Sequence, residues 1–233
     1  NYWAQEDKPG CAPMWGHTVY EQIEHDQPGT PCRIHTFPLR EDLADLVASI
    51  RELKTRADVV ILSHHAGIHF VPAVVPDYQR DVAFAAIDAG ADMVLGCHAH
   101  ILKGMEFYRG KPIVHSLANF AIDLKMDEKH AQSKGFREIQ KLNPDWIPDF
   151  SSNYNFPPDS RMSIVVEAEF TPQGMSDFRL VPVFIGKDAN PRFVGPDQPE
   201  YDQVLTYLRE ITEEAGFATE YRAEGDTIRP VAR

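Results

Sequence analysis

Asp58-Val-Val-Ile-Leu-Ser-His-His-Ala-Gly-Ile-His69 and Asp92-Met-Val-Leu-Gly-Cys-His-Ala-His100 share one design, a short apolar run that ends in histidines. The runs Asp58–Ser63 and Asp92–Gly96 read as buried strands. Before the first, Leu43, Leu46, Ile50 and Leu53 follow Leu39 at helical spacing and mark one face of an amphipathic helix. Between the two, beyond Pro72 and Pro76, Tyr78, Val82, Ala85 and Ala89 mark a second helix that Gly90 ends. Helix, strand, helix, strand at this spacing predicts parallel crossover units, with reactive residues just past the carboxyl ends of the strands. Both histidine clusters lie there.

In extended backbone, a spacing of two puts His98 and His100 on one face, ~6–7 Å apart along the chain. That suits two metal ions ~3.5–4 Å apart, one nitrogen to each. At the first strand end, alternation prevents His64 and His65 from facing one site together, so one of them is structural. Gly67 lets the chain turn, and His69 either returns toward the site or faces water. Further on, Glu106–Asp123 reads as a hairpin around a Gly-Lys turn, with Pro112–Leu117 as its second strand. His115 is either a core histidine or a proton donor. Asn119 and Asp123 are candidates to orient a metal-bound imidazole, against the plainer readings of a turn cap and a solvated carboxylate.

Outward from these motifs, residues 1–37 carry Pro, Gly, Cys and Trp without a period and read as an irregular segment, and 123–160 reads as a long loop. Ser163–Phe170 and Phe178–Ile185 form an antiparallel pair around Thr171-Pro-Gln-Gly174, and Val204, Leu208, Ile211 and Ala215 mark a last helix. The chain has 233 residues, 43% hydrophobic and 25% charged, which fits one large globular domain or most of one. No run approaches the ~18 apolar residues of a membrane helix. A net charge of −12 disfavours nucleic acid and anionic membrane surfaces, and a polyanion would need a local basic site. Three cysteines, Cys11, Cys32 and Cys97, fit reduced thiols and a cytoplasmic setting better than a disulfide framework. The start at Asn1, without Met or a leader pattern, leads us to expect a longer precursor.

His65-Ala-Gly-Ile-His69, Ala89-Gly-Ala-Asp-Met-Val-Leu-Gly-Cys-His-Ala-His100 and His115-Ser-Leu-Ala-Asn-Phe120 resemble, in order and spacing, three motifs of the bacterial poly-γ-glutamate capsule synthesis (CapA) family. These are His-Trp-Gly-x-Glu, Ala-Gly-Ala-Asp-x-Val-x-Gly-x-His-Pro-His and Tyr-Ser-Leu-Gly-Asn-Phe. The resemblance runs from about Phe37 to about Ala215. It implies an α/β fold, the four-layer αββα sandwich of calcineurin-like metallophosphoesterases. It also implies that His65 and His98 bind one metal and His100 the other, which leaves His64 as a supporting group. His69 stands where the family has Glu, Ala66 replaces Trp, Ala99 replaces Pro, and His115 and Ala118 replace Tyr and Gly.

The family's Gly-Asp strand end, second acidic ligand and Asn-Asn-His motif are not found upstream of Phe37, and three histidines without a bridging carboxylate hold two dications poorly. Residues 38–233 are therefore expected to be the C-terminal half of the fold. A second polypeptide would complete the sheet and supply the remaining ligands for two divalent ions, Mn, Fe or Zn. The implied activity is a metal-dependent hydrolase of a small amide-type or phosphoester substrate, with His69 or His115 as proton donor. The alternative is a capsule polymer assembly factor that binds polymer without significant hydrolysis.

Overall fold

The computed structural model describes residues 3–24, 26–27 and 29–233. Part of 1–37 is regular rather than irregular: β1 (Gly16–Gln22) pairs antiparallel with β2 (Cys32–Pro38), while His25 lies outside the described residues. All seven β1 residues are exposed, so no buried face writes an alternating pattern into the sequence. The hairpin is tied to the next layer where the Thr36 amide donates to the Asp77 carboxylate and the Tyr78 amide to the Thr36 hydroxyl.

Helix α1 (Arg40–Lys54) carries Glu41 and Asp42 in its first turn and Arg51 and Lys54 in its last, the order the helix dipole favours. Strand β3 (Ile61–Ala66) follows, then α2 (Asp77–Ala89) and β4 (Met93–His98). Gly90 closes α2 at φ 119°, a left-handed cap that costs glycine no side-chain clash. Strands β3 and β4 are parallel with Ile61 opposite Met93 and His65 opposite Cys97. Asp92 locks this start: its carboxylate accepts from the Val60 amide and from the Lys54 and Lys111 ammonium groups. Burial would raise the Asp92 carboxyl, but these donors hold it below the ordinary value.

The hairpin of β5 (Met105–Tyr108) and β6 (Lys111–Val114) turns at Arg109 and Gly110, one residue earlier than the Gly-Lys reading; both have positive φ, 50° and 75°. Such backbone fits a two-residue hairpin. The sheet order is β3-β4-β6-β5, which leaves β3 at an edge. Gly96 leaves no room for a side chain against the residue after β6, since a Cβ there would lie 2.1 Å from the His115 carbonyl oxygen.

The segment 123–160 is not a bare loop: it folds α3 (Glu128–Ala131), α4 (Lys134–Leu142) and a 3-10 turn, Pro158–Arg161. Asp127 and Ser133 cap the two helices through the His130 and Phe136 amides, a device legible only in short motifs. Met126, Phe136 and Trp146 form a small core of their own, with Phe70 packed against it.

A second sheet holds β7 (Met162–Thr171), β8 (Gly174–Ile185), β9 (Pro191–Phe193), β10 (Thr219–Glu224) and β11 (Thr227–Ala232), and α5 (Pro199–Glu214) packs on β7, β8 and β10. The main core joins Met93, Leu102, Met105 and Val114 of the first sheet region to Ile164, Leu180 and Ile228 of the second and to Val204 and Leu208 of α5. On the other face of the first sheet, Ile50, Ala83, Ala86 and Ile87 of α1 and α2 cover Val94 and Ile113. The result is an α/β sandwich. No helix among the described residues is long and apolar enough to cross a membrane.

Candidate metal centre

Strand β3 alternates faces up to its end, which separates the adjacent histidines: His65 points outward, exposed, and His64 points in. Burial, with His115 and His65 nearby, pushes the His64 imidazole down to about 4. On the outer face His65 Nε2 lies 3.0 Å from His98 Nδ1, and His65 Nδ1 lies 3.2 Å from Cys97 Sγ. Burial raises the Cys97 thiol, so sulfur enters this contact as a neutral group.

His98 and His100 both lie beside the His69 ring, but not by strand alternation. Strand β4 ends at His98, whose φ is 100°, and His100 has φ 59°. Two non-glycine residues in left-handed backbone turn the chain over the site, a conformation costing on the order of 1–3 kcal/mol each and found at functional sites. His69 does return to the site. Its ring centroid lies 4.1 Å from that of His98 and 5.3 Å from that of His100. The His98 imidazole is pushed down to about 4 by burial and then by His69, His65 and His100. His69 is likewise lowered by burial, His100 and His65. At neutral pH these rings are unprotonated, the form that binds metal.

Asn119 meets this cluster. Its Oδ1 lies 2.7 Å from His100 Nδ1, its Nδ2 donates to the Tyr154 hydroxyl at 2.7 Å, and that hydroxyl donates to the Ser160 carbonyl at 2.5 Å. An amide oxygen accepts, so His100 Nδ1 is the donor in this pair and Nε2 is the ring nitrogen left for another partner. Phe70 and Phe156 stack on the His100 ring at 5.7 and 5.2 Å, and Trp146 meets Phe70 edge-on at 5.0 Å. The segment 123–160 thus walls one side of the cluster, a contribution no sequence motif announced. Asp123 is exposed, and among the described residues no hydrogen bond joins it to an imidazole.

Among the described residues, no hydrogen bond or ring contact joins His115, the other candidate proton donor, to the outer imidazoles. It is 2% exposed, its Nε2 lies 2.9 Å from Glu106 Oε1, and Glu106 is held in turn by Arg80 through two bonds of 2.8 and 2.6 Å. Burial keeps its imidazole below the ordinary value despite Glu106, so a neutral ring donates to the carboxylate. Burial alone would raise Glu106, but His115 and Arg80 hold it low. Sequence reasoning missed Glu106 and Arg80; a carboxylate nine residues before His115 across a hairpin was the available signal.

Among the described residues, no three His, Cys, Asp or Glu side chains form an arrangement able to hold a metal ion by themselves. The outer imidazoles fit a transition-metal centre in donor type, and Asn119 orients His100 in the way outer groups orient metal-bound histidine. They do not complete one. The set is all nitrogen, and neighbouring dications need anionic ligands.

Comparison with known proteins places these observations. The family described as bacterial capsule synthesis protein PGA_cap matches residues 2–124 and so begins well before Phe37, taking in the β1–β2 hairpin. The PGA biosynthesis protein CapA of Bacillus subtilis is 28% identical over 172 residues, 74% of this chain and 36% of that protein. A probable polyglutamine synthesis accessory protein of Mycobacterium tuberculosis is 40% identical over 89 residues, 37% of this chain and 23% of that protein. The capsule biosynthesis protein CapA of Bacillus anthracis is 37% identical over 70 residues, 30% of this chain and 17% of that protein. The chain therefore spans little more than a third of the B. subtilis relative, and less of the others.

Proposed function

The chain belongs to the bacterial capsule synthesis protein PGA_cap family, and from that premise we propose that it carries the histidine part of a two-metal hydrolytic centre acting on an amide-type or phosphoester bond. The observation that carries this reading is the convergence of His65, His69, His98 and His100 at the ends of two parallel strands, without a carboxylate among their hydrogen-bond partners in the described residues.

His65 and His98 would hold one divalent ion and His100 the other. Bound ions of this kind lower the pKa of a coordinated water and polarise the bond to be cleaved. The chain's own residues prepare the place. Asn119 fixes the His100 ring so that Nε2 faces the site. The aromatic wall of Phe70, Phe156 and Trp146 excludes water from that flank. His69, neutral at physiological pH, stands between the two ligand positions and can take up or hand on a proton there. We further propose that the missing acidic ligands come from protein outside this segment and pair along the open edge of β3. There the exposed Ile61 and the unpaired backbone form a surface that an isolated sheet would otherwise leave open.

The names of the relatives, biosynthesis and accessory proteins, favour a second reading in which the site binds an acidic polymer during assembly without turnover. Amide and phosphoester substrate panels, assayed with and without chelator, separate the two. Chelator-sensitive turnover that His98→Ala or His100→Ala abolishes supports the hydrolase. Polymer binding that survives metal removal, with no turnover, supports the assembly factor. For the partner, the chain is expressed alone and its association state and metal content are measured; a stable monomer holding two ions would refute external ligands.

A further inference from the structure

Lys103 is 1% exposed, and among the described residues no carboxylate pairs with it. Its stem could be replaced in a core by an apolar chain at no loss of packing, whereas burying an ammonium is costly unless its donors are used. They are used on one target: the Nζ group donates to the Val71 carbonyl and, at 3.0 Å, to the Val74 carbonyl. Both belong to the stretch Val71-Pro-Ala-Val-Val-Pro76, where two prolines remove amide donors and the residue before each is driven to extended backbone. The carbonyls of such a stretch have no helix or ladder to join. Just upstream, the Phe70 amide donates to the Ala99 carbonyl at 3.0 Å, with Phe70 at φ 58°. The loop from 67 to 76 is thus fastened to the turn after β4 at two places, by Ala99 and by Lys103, and His69 lies just before both.

We propose that Lys103 is a positioning residue: its ammonium latches the Val71 and Val74 carbonyls and so sets where His69 stands against His98 and His100. The inference does not depend on the reaction at the site, since it concerns only the placement of a loop. Burial pushes the Lys103 ammonium down to about 8, and the neighbouring charged groups are His115 and, behind it, the Glu106–Arg80 pair. An amine keeps donors in either protonation state, so the latch holds across neutral pH.

The test uses the full chain, uniformly labelled with nitrogen and carbon isotopes, observed by NMR. In Lys103→Met the ring resonances of His69 should move away from the positions set by its contacts with His98 and His100. Hydrogen-exchange protection of the Phe70 amide should fall about tenfold, the size of one ordinary hydrogen bond. His115 and the amides pairing β3 with β4 should stay as they were. A folded Lys103→Met in which His69 and Phe70 are unchanged overturns the proposal. Should that variant not fold, the wild-type chain decides: couplings across the hydrogen bonds from Lys103 Nζ to the Val71 and Val74 carbonyl carbons support the latch, and their absence refutes it.

Discussion

On the outer side of the β3–β4 pair, His65, His69, His98 and His100 crowd ring against ring, and among the described residues no carboxylate bonds to any of them. On the inner side, His115 rests on Glu106, itself gripped by Arg80, and His64 is buried nearby. Burial leads the lowering of basicity on both sides. What differs is completion. The inner histidine has its hydrogen-bond partner within the chain, a carboxylate whose charge Arg80 balances, whereas the outer cluster gathers ring nitrogens with no such partner among the described residues.

The largest effect that would break this contrast concerns stability. Glu106→Ala strips the buried His115 and Arg80 of their carboxylate and should cost about 3 kcal/mol, while His65→Ala on the exposed side should cost well under 1 kcal/mol. Chemical denaturation of both variants is the check, and equal losses would erase the distinction between the two sides.

Acidification should sharpen it. A His64 lowered to about 4 from an unfolded value of 6.5 leaves the folded chain with fewer protons than the unfolded one between those pH values. The stability this group contributes is intact above 6.5 and is lost as pH falls toward 4, roughly 2.5 kcal/mol by pH 4.5. His64→Gln should lack that part of the loss, and a variant that tracks wild type down to pH 4.5 would show that His64 does not titrate as its burial requires.

The smallest effect belongs to orientation. Asn119→Ala frees the His100 ring and should weaken zinc or manganese binding in the completed protein about tenfold, the lower end for a group that orients a metal-bound histidine. Calorimetric titration measures it; undiminished affinity would mean Asn119 serves Tyr154 rather than His100.

The alternation of β3 made the division of His64 from His65 legible from sequence, and helical spacing made α1, α2 and α5 so. Each rests on a buried face facing a solvated one. The β1–β2 hairpin offered no such contrast because Val19, Tyr20, Ile34 and Phe37 are all exposed. Helices α3 and α4 are too short for a period to emerge, and β10–β11 went unread beyond Ala215. At the site, the residue types and their order were readable. Their arrangement was not, because nothing in a non-glycine residue announces the positive φ of His98 and His100. Glu106, Lys103 and Asn119 find their partners through tertiary contact, which local spacing does not encode.

Those two left-handed histidines place stability and chemistry in opposition at the same positions. Glycine at 98 or 100 would relax the backbone by about 1 kcal/mol while deleting a nitrogen from the cluster. A population of variants selected for thermal endurance alone should therefore drift toward glycine there and lose the site in doing so. Persistence of histidine at both positions under such selection would report that a bound partner returns more stability than the turn gives away.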